Sequence, residues 1–145
     1  EEALKKFKEN DINPNQIILE GGSSRDKLLE SYNKIDIALD SFPYSGGTTS
    51  FEAVWMGVPI ITKESKKFVS RSTGSININL GMREWVVSSN DEYIKKAISF
   101  ASKTDQLLNI KKNLREKSIL SPIFNHKLFA KNFEAAMWKI WKQGK

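Results

Sequence analysis

The chain has no cysteine, a single histidine and four prolines in 145 residues. No thiols means no disulfide framework and no thiolate zinc site. A bilayer-spanning helix needs roughly 20 consecutive apolar residues, and no run approaches that length. A soluble, cytoplasmic protein without membrane contact is expected. His126 stands near the start of the last expected helix with no acid or serine close by, and reads as a surface or capping residue. There is no Asp-x-Asp pair; Asp36 and Asp40 flank one expected strand, and no His/Asp/Glu cluster has metal-ligand spacing. No metal is expected.

With 39% hydrophobic residues the chain can bury one core and hardly two, so a single α/β-sized domain over 1–145 is the working unit. Net charge is +6, from 23 basic and 17 acidic residues. The lysines are scattered, at 5, 6 and 8, then 95 and 96, then 111 and 112, which reads as a solvated surface and not as a nucleic-acid stripe. The opening EEALKKFKEN begins as if in mid-helix, as expected of a piece of a longer protein.

Helical spacing over 1–10 ends at Asn13-Pro14, because proline disfavours an α conformation in the residue before it. The apolar run Ile17, Ile18, Leu19 predicts a buried parallel strand over 16–20. A helix capped by Ser23 or Ser24 is expected over 25–33, then a strand over 35–39, a helix over 48–56 closed by Gly57, and a strand over 58–62. This β-α-β-α-β order predicts a Rossmann-like parallel sheet with flanking helices. A basic loop over 63–70, a helix over 71–80 ended by Gly81, and a short strand over 84–87 continue it. Ser89 to Glu92 forms a capping box for a helix whose expected buried face is Tyr93, Ile94, Ala97, Ile98 and Ala101. Another helix is expected over 105–117. In the last, Phe129, Phe133, Ala136, Met137, Ile140 and Trp141 recur at three- and four-residue intervals.

The most specific segment is DSFPYSGGTTSFEAVWMGVPIIT, from Asp40 to Thr62. Open α/β sheets bind ligands beyond the carboxyl ends of their strands, and a helix start there offers free N–H groups and about half a positive charge. Gly46 and Gly47 let the backbone approach a phosphate, and Thr48 and Thr49 add hydroxyl donors. The plainer reading is a tight turn with Thr49 as helix cap, and the sequence leaves both open. Glu52 lies one turn into the helix and can accept from a ribose diol; equally, Thr49 to Glu52 fits a capping box. Arg71, in the basic loop, is either a phosphate clamp or a solvated surface arginine.

The order of these residues resembles the nucleotide-binding half of the protein O-linked N-acetylglucosamine transferase and SPINDLY glycosyltransferases, glycosyltransferase family 41. The likeness runs from IILEGGSS through IDIALD, FPYSGGTTSFEAVWMGVPIIT, FVSR, LGMREWVV and EYIKKA to SPIFN and MWKIW. It implies the carboxyl-terminal lobe of a GT-B fold, which holds a sugar nucleotide without a metal. Gly47, Thr48 and Thr49 would then face the diphosphate, Glu52 the ribose, and Arg25 with Leu28 the base. Leu28 departs from the family, whose members usually carry histidine there, so the contact with the base becomes apolar.

The resemblance implies transfer of N-acetylglucosamine from UDP-GlcNAc to Ser/Thr of acceptor proteins. A GDP-sugar donor and a non-catalytic nucleotide-binding or interaction module are the alternatives. The family's amino-terminal lobe with its proposed catalytic histidine, a phosphate-neutralising lysine upstream of Glu1, and the tetratricopeptide repeats are not in these residues. The isolated chain is therefore expected to be inactive. In the family the last helix packs toward the other lobe, which implies lost cover for Trp138 and Trp141.

Overall fold

The computed structural model describes residues 2–144. Glu1, where the first helix was expected to begin, and Lys145 lie outside the described residues. Helix α1 (Glu2–Glu9) is bounded by Asp11 in the left-handed region at φ 57° and by Asn13, whose side chain accepts from the Asn15 N–H. Then come α2 (Arg25–Ser31), β1 (Ala38–Leu39), α3 (Thr48–Trp55), β2 (Ile60–Lys63), α4 (Ser72–Asn79), β3 (Val86–Val87), α5 (Asn90–Ala101), α6 (Thr104–Leu120) and α7 (His126–Gln143).

The three strands are parallel in the order β1-β2-β3, with Ala38 opposite Ile60 and Thr62 opposite Val86. The α/β, parallel-sheet expectation holds. Ile60, Ile61 and Thr62 of the central strand are buried, as a strand covered on both faces must be. Around them Val54, Leu80, Trp85 and Leu114 are almost wholly excluded from solvent. The helices that feed β2 and β3 end on glycine at positive φ, Gly57 at 81° and Gly81 at 63°. In each, the next residue's N–H returns to a carbonyl of the helix, Val58 to Ala53 at 2.8 Å and Met82 to Asn77 at 2.8 Å. This closure turns the chain sharply toward the sheet and satisfies the orphan carbonyls.

Four expectations need correction. Residues 17–20 form no strand: Ile18 is 84% exposed, and the hydrogen bonds at β1 go to the other side, from Ala38 N–H to the Pro59 carbonyl and from Asp40 N–H to that of Ile61. Glu20 instead accepts from Ser31 Oγ at 3.2 Å and Lys34 Nζ at 3.1 Å. Lys34 first, then Ser31, hold its carboxyl below the usual carboxylate range. The expected strand over 35–39 shrinks to two residues.

The buried face of α5 is one position out of phase with expectation. Tyr93, Ala97 and Phe100 turn inward, because Phe100 stacks on the buried Trp85, while Ile94 and Ile98 stay exposed. Its capping box is also displaced: Ser89 Oγ accepts the Glu92 N–H at 3.2 Å, but Glu92 Oε2 takes the N–H and hydroxyl of Ser88. In agreement with the lost cover that the resemblance implies for Trp138 and Trp141, no residue of α7 is buried; Phe129, Phe133, Met137, Trp138, Ile140 and Trp141 form an exposed apolar helix. His126 opens it on the surface, with Asn125 as cap.

Candidate functional site

The chain leaves β1 at Asp40, passes through Ser41 to Ser45, and enters α3 through Gly46 and Gly47. This turn is pinned from three directions. From the sheet, Asp40 Oδ1 accepts the Gly46 N–H at 2.7 Å and Oδ2 accepts the Thr62 hydroxyl at 2.6 Å. From α4, Thr73 Oγ1 donates to the Gly46 carbonyl at 3.2 Å and shares a hydrogen with Ser50 Oγ at 2.8 Å. From the basic loop, the Val69 carbonyl accepts both the N–H and the hydroxyl of the buried Ser45, at 2.9 and 3.2 Å.

The helix start itself is open. Gly47 occupies the cap position and provides no side-chain hydrogen bond. Among the described residues nothing accepts from the N–H groups of Gly47, Thr48 or Thr49, and both threonines are exposed. Unpaired donors and the helix dipole converge there, which is the requirement for holding an anion.

Thr49 does not cap the helix and the Thr49–Glu52 capping box is not formed. The Thr49 carbonyl accepts from Tyr32 Oη at 3.2 Å, and Glu52 Oε1 pairs with Arg25 Nη2 at 3.1 Å. The Glu52 side chain is only 11% exposed against 71% for Arg25, so the carboxylate is fixed and the guanidinium is the movable partner. Burial first, then the Glu52 charge, raises the pKa of Tyr32 above the ordinary phenolic value.

Two clefts flank the helix start. The smaller, about 230 Å³, lies beside β1 and is lined by Tyr32, Asp40, Gly46 and Thr49. The larger, about 560 Å³, opens on the other side between Gly47, Phe51, Phe68, Arg71 and Ser75. Arg71 is thus brought to the same cleft as Gly47. Leu28, three residues beyond Arg25 on α2, is exposed and lines neither cleft. Sequence reasoning did not find the parts played by Asp40, Tyr32 and Thr73. An acid placed directly after a strand and before a glycine pair was the one available signal.

Tyr93 on α5 closes the sheet side, its hydroxyl donating to the Asp40 carbonyl at 2.8 Å. Burial, with a smaller contribution from the Asp40 charge, pushes its pKa up to about 12. An unfolded tyrosine ionises near 10. Folding therefore retains a proton that the unfolded chain releases, and the stability so gained is complete below pH 10 and lost as pH rises toward 12. Melting temperature should fall more steeply between pH 10 and 12 in the wild type than in Tyr93→Phe; parallel curves would show that Tyr93 is not so held.

The parallel sheet with flanking helices, and α3 opening at the end of β1, has the architecture of a lobe of a GT-B glycosyltransferase. It superimposes with a TM-score of 0.91 and 31% identity on a solved structure of a mutant Thermobaculum terrenum O-GlcNAc transferase, covering 98% of this chain and 27% of that one. Residues 1–133 match Glycosyl transferase family 41, and the chain belongs to that family, as the motifs led us to expect. Among relatives, the probable UDP-N-acetylglucosamine–peptide N-acetylglucosaminyltransferase SPINDLY of Petunia hybrida is 34% identical over 115 residues, 79% of this chain and 12% of its own length. The corresponding probable enzyme SEC of Arabidopsis thaliana is 30% identical over 131 residues, 90% of this chain and 13% of its own length. The Caenorhabditis elegans enzyme is 24% identical over 144 residues, again 12% of its length. The chain therefore spans about an eighth of the curated relatives it matches.

Proposed function

We propose that residues 1–145 are the donor-holding lobe of a protein O-glycosyltransferase that moves N-acetylglucosamine from UDP-GlcNAc to Ser/Thr hydroxyls. The observation that carries this is the open start of α3, with three unengaged N–H groups beside the fixed Glu52 carboxylate. The diphosphate lies on Gly47, Thr48 and Thr49, with Gly46 beneath them as the turn that aims them, and Arg71 reaches it from the larger cleft. Glu52 accepts from the ribose diol as Arg25 swings from the carboxylate toward the base, with Leu28 as apolar cover. As the bond from sugar to phosphate breaks, charge grows on the diphosphate; fixed N–H dipoles and a guanidinium stabilise it most in that state. This division of labour calls for no metal.

The acceptor must be held in line with the anomeric carbon, and one wall of a cleft cannot do that. We therefore assign acceptor positioning and the remaining catalytic groups to an amino-terminal lobe and tetratricopeptide repeats of a longer parent, in a cytoplasmic setting. The bare apolar surface of α7 supports a companion lobe, since a patch of that kind on a lone domain marks an interaction site.

Calorimetric titration with UDP and with GDP tests the reading. Heat with UDP and little with GDP is expected; no heat with either removes the donor site, and preference for GDP overturns the donor. Glu52→Ala should lower UDP affinity about tenfold, the equivalent of one charge-assisted hydrogen-bond pair. Its melting temperature should change little, because the lost Arg25 partner is mostly solvated. A lower melting temperature with unchanged affinity would make the Arg25–Glu52 pair purely structural.

A further inference from the structure

Asp40 uses every polar group it has, and together they reach β2, α5 and the turn before α3. Its N–H donates to the Ile61 carbonyl at 3.0 Å and its carbonyl accepts from Tyr93. One carboxylate oxygen takes the Thr62 hydroxyl, and the other takes the Gly46 N–H. Three of these partners, Ile61, Thr62 and Tyr93, belong to β2 and α5 and would stand in place without the turn. The fourth, Gly46, is the turn. Asp40 thus transmits the position of the sheet to the residue immediately before the three open N–H groups.

A carboxylate at this point acts against the ligand electrostatically, because it sets a negative charge beside a site for anions. Its value is geometric. A carboxylate accepts at both oxygens and cannot present a donor, so it engages Gly46 N–H and Thr62 hydroxyl together through short, charge-assisted bonds. Consuming the Gly46 N–H also turns that group inward and leaves Gly47, Thr48 and Thr49 as the donors facing out.

We propose that Asp40 is the positioning residue of the diphosphate turn, acting through Gly46 and touching no part of the nucleotide. This rests on the donor-site reading above. UDP titrations of wild type, Asp40→Ala and Asp40→Asn, with melting curves and the Gly46 amide proton shift, test it. Asp40→Ala should bind UDP at least about tenfold more weakly while still folded, the cost of one strong hydrogen bond to a site group. Its Gly46 amide proton should move upfield as the bond to the carboxylate disappears. Asp40→Asn can keep both bonds, its oxygen accepting from Gly46 and its amide donating to Thr62, and it removes the opposing charge. It should restore affinity to within about threefold of wild type or exceed it.

Asp40→Ala that binds like wild type, or a folded Asp40→Asn as weak as Asp40→Ala, would overturn the proposal while leaving the donor site intact. Wild type that fails to bind UDP would remove the donor site and this inference together. Should Asp40→Ala not fold, Thr62→Val takes its place: it preserves shape, releases one carboxylate oxygen, and should weaken UDP binding about threefold, with unchanged affinity counting against the proposal.

Discussion

Trp85→Ala should destabilise the lobe by about 3–5 kcal/mol, the usual cost of emptying an aromatic site in a packed core. Trp85 is fully buried in the turn just before β3. Its ring lies on Phe100 at 4.0 Å between centroids and 9° between planes. That stack joins the turn before β3 to α5, so its loss also loosens the helix that carries Tyr93. Domains of this size are stable by about 5–15 kcal/mol, so the substitution removes a large share of the total. Trp85→Phe should cost clearly less, since the stack survives and the buried indole N–H, which has no partner among the described residues, is removed. Urea midpoints of the three proteins measure this; a Trp85→Ala cost below about 1 kcal/mol would mean that the stack is not central to the core.

Gly46→Ala should affect the site as strongly as Trp85→Ala affects the core. A Cβ on Gly46 would overlap Ser50 Oγ and lie 3.0 Å from Thr49 Oγ1 and 3.3 Å from Asp40 Oδ1. Ser50 is buried and its hydroxyl is engaged with Thr73, so turning it aside breaks a buried hydrogen bond. The stability cost should be about 1–3 kcal/mol. UDP affinity should fall about a hundredfold, because the displaced residues are those that aim the helix start and small misplacements of such groups weaken binding steeply. Thermal melts and UDP titration together check it. An alanine variant that binds UDP as the wild type does would show that the turn has slack.

The parts of the fold and site that could be read from sequence depend on neighbours in the chain. Gly57 and Gly81 end helices where their position after a periodic run says they should, and Gly46-Gly47 marks the turn that the structure opens to solvent. Ile17 to Leu19 misled because apolar character records a surface that favours cover, and nothing local says whether the partner is close by. The same holds for α7, whose apolar face is as regular as a buried one. On α5 two helical faces one position apart are both apolar, and only the location of Trp85, several residues upstream, decides between them. Asp40 with Thr62, Tyr32 with Thr49, and Arg25 with Glu52 are pairings across the sheet or between helical segments. Spacing in sequence carries no trace of them. Glu52 was ambiguous for that reason, and it took Arg25, from another helix, to separate it from a cap.

Gly47 sits where a helix would ordinarily carry serine, threonine or aspartate, and space for a larger side chain is there, with nothing within 4 Å of where a Cβ would stand. A capping residue at that position would add roughly a few tenths of a kcal/mol to the resting molecule relative to glycine. It would also occupy the donors that an incoming anion must reach. On the donor-site proposal, the empty fold leaves that small gain unused so that its visitor can complete the helix start, and selection for thermal resistance alone would be expected to close that socket first.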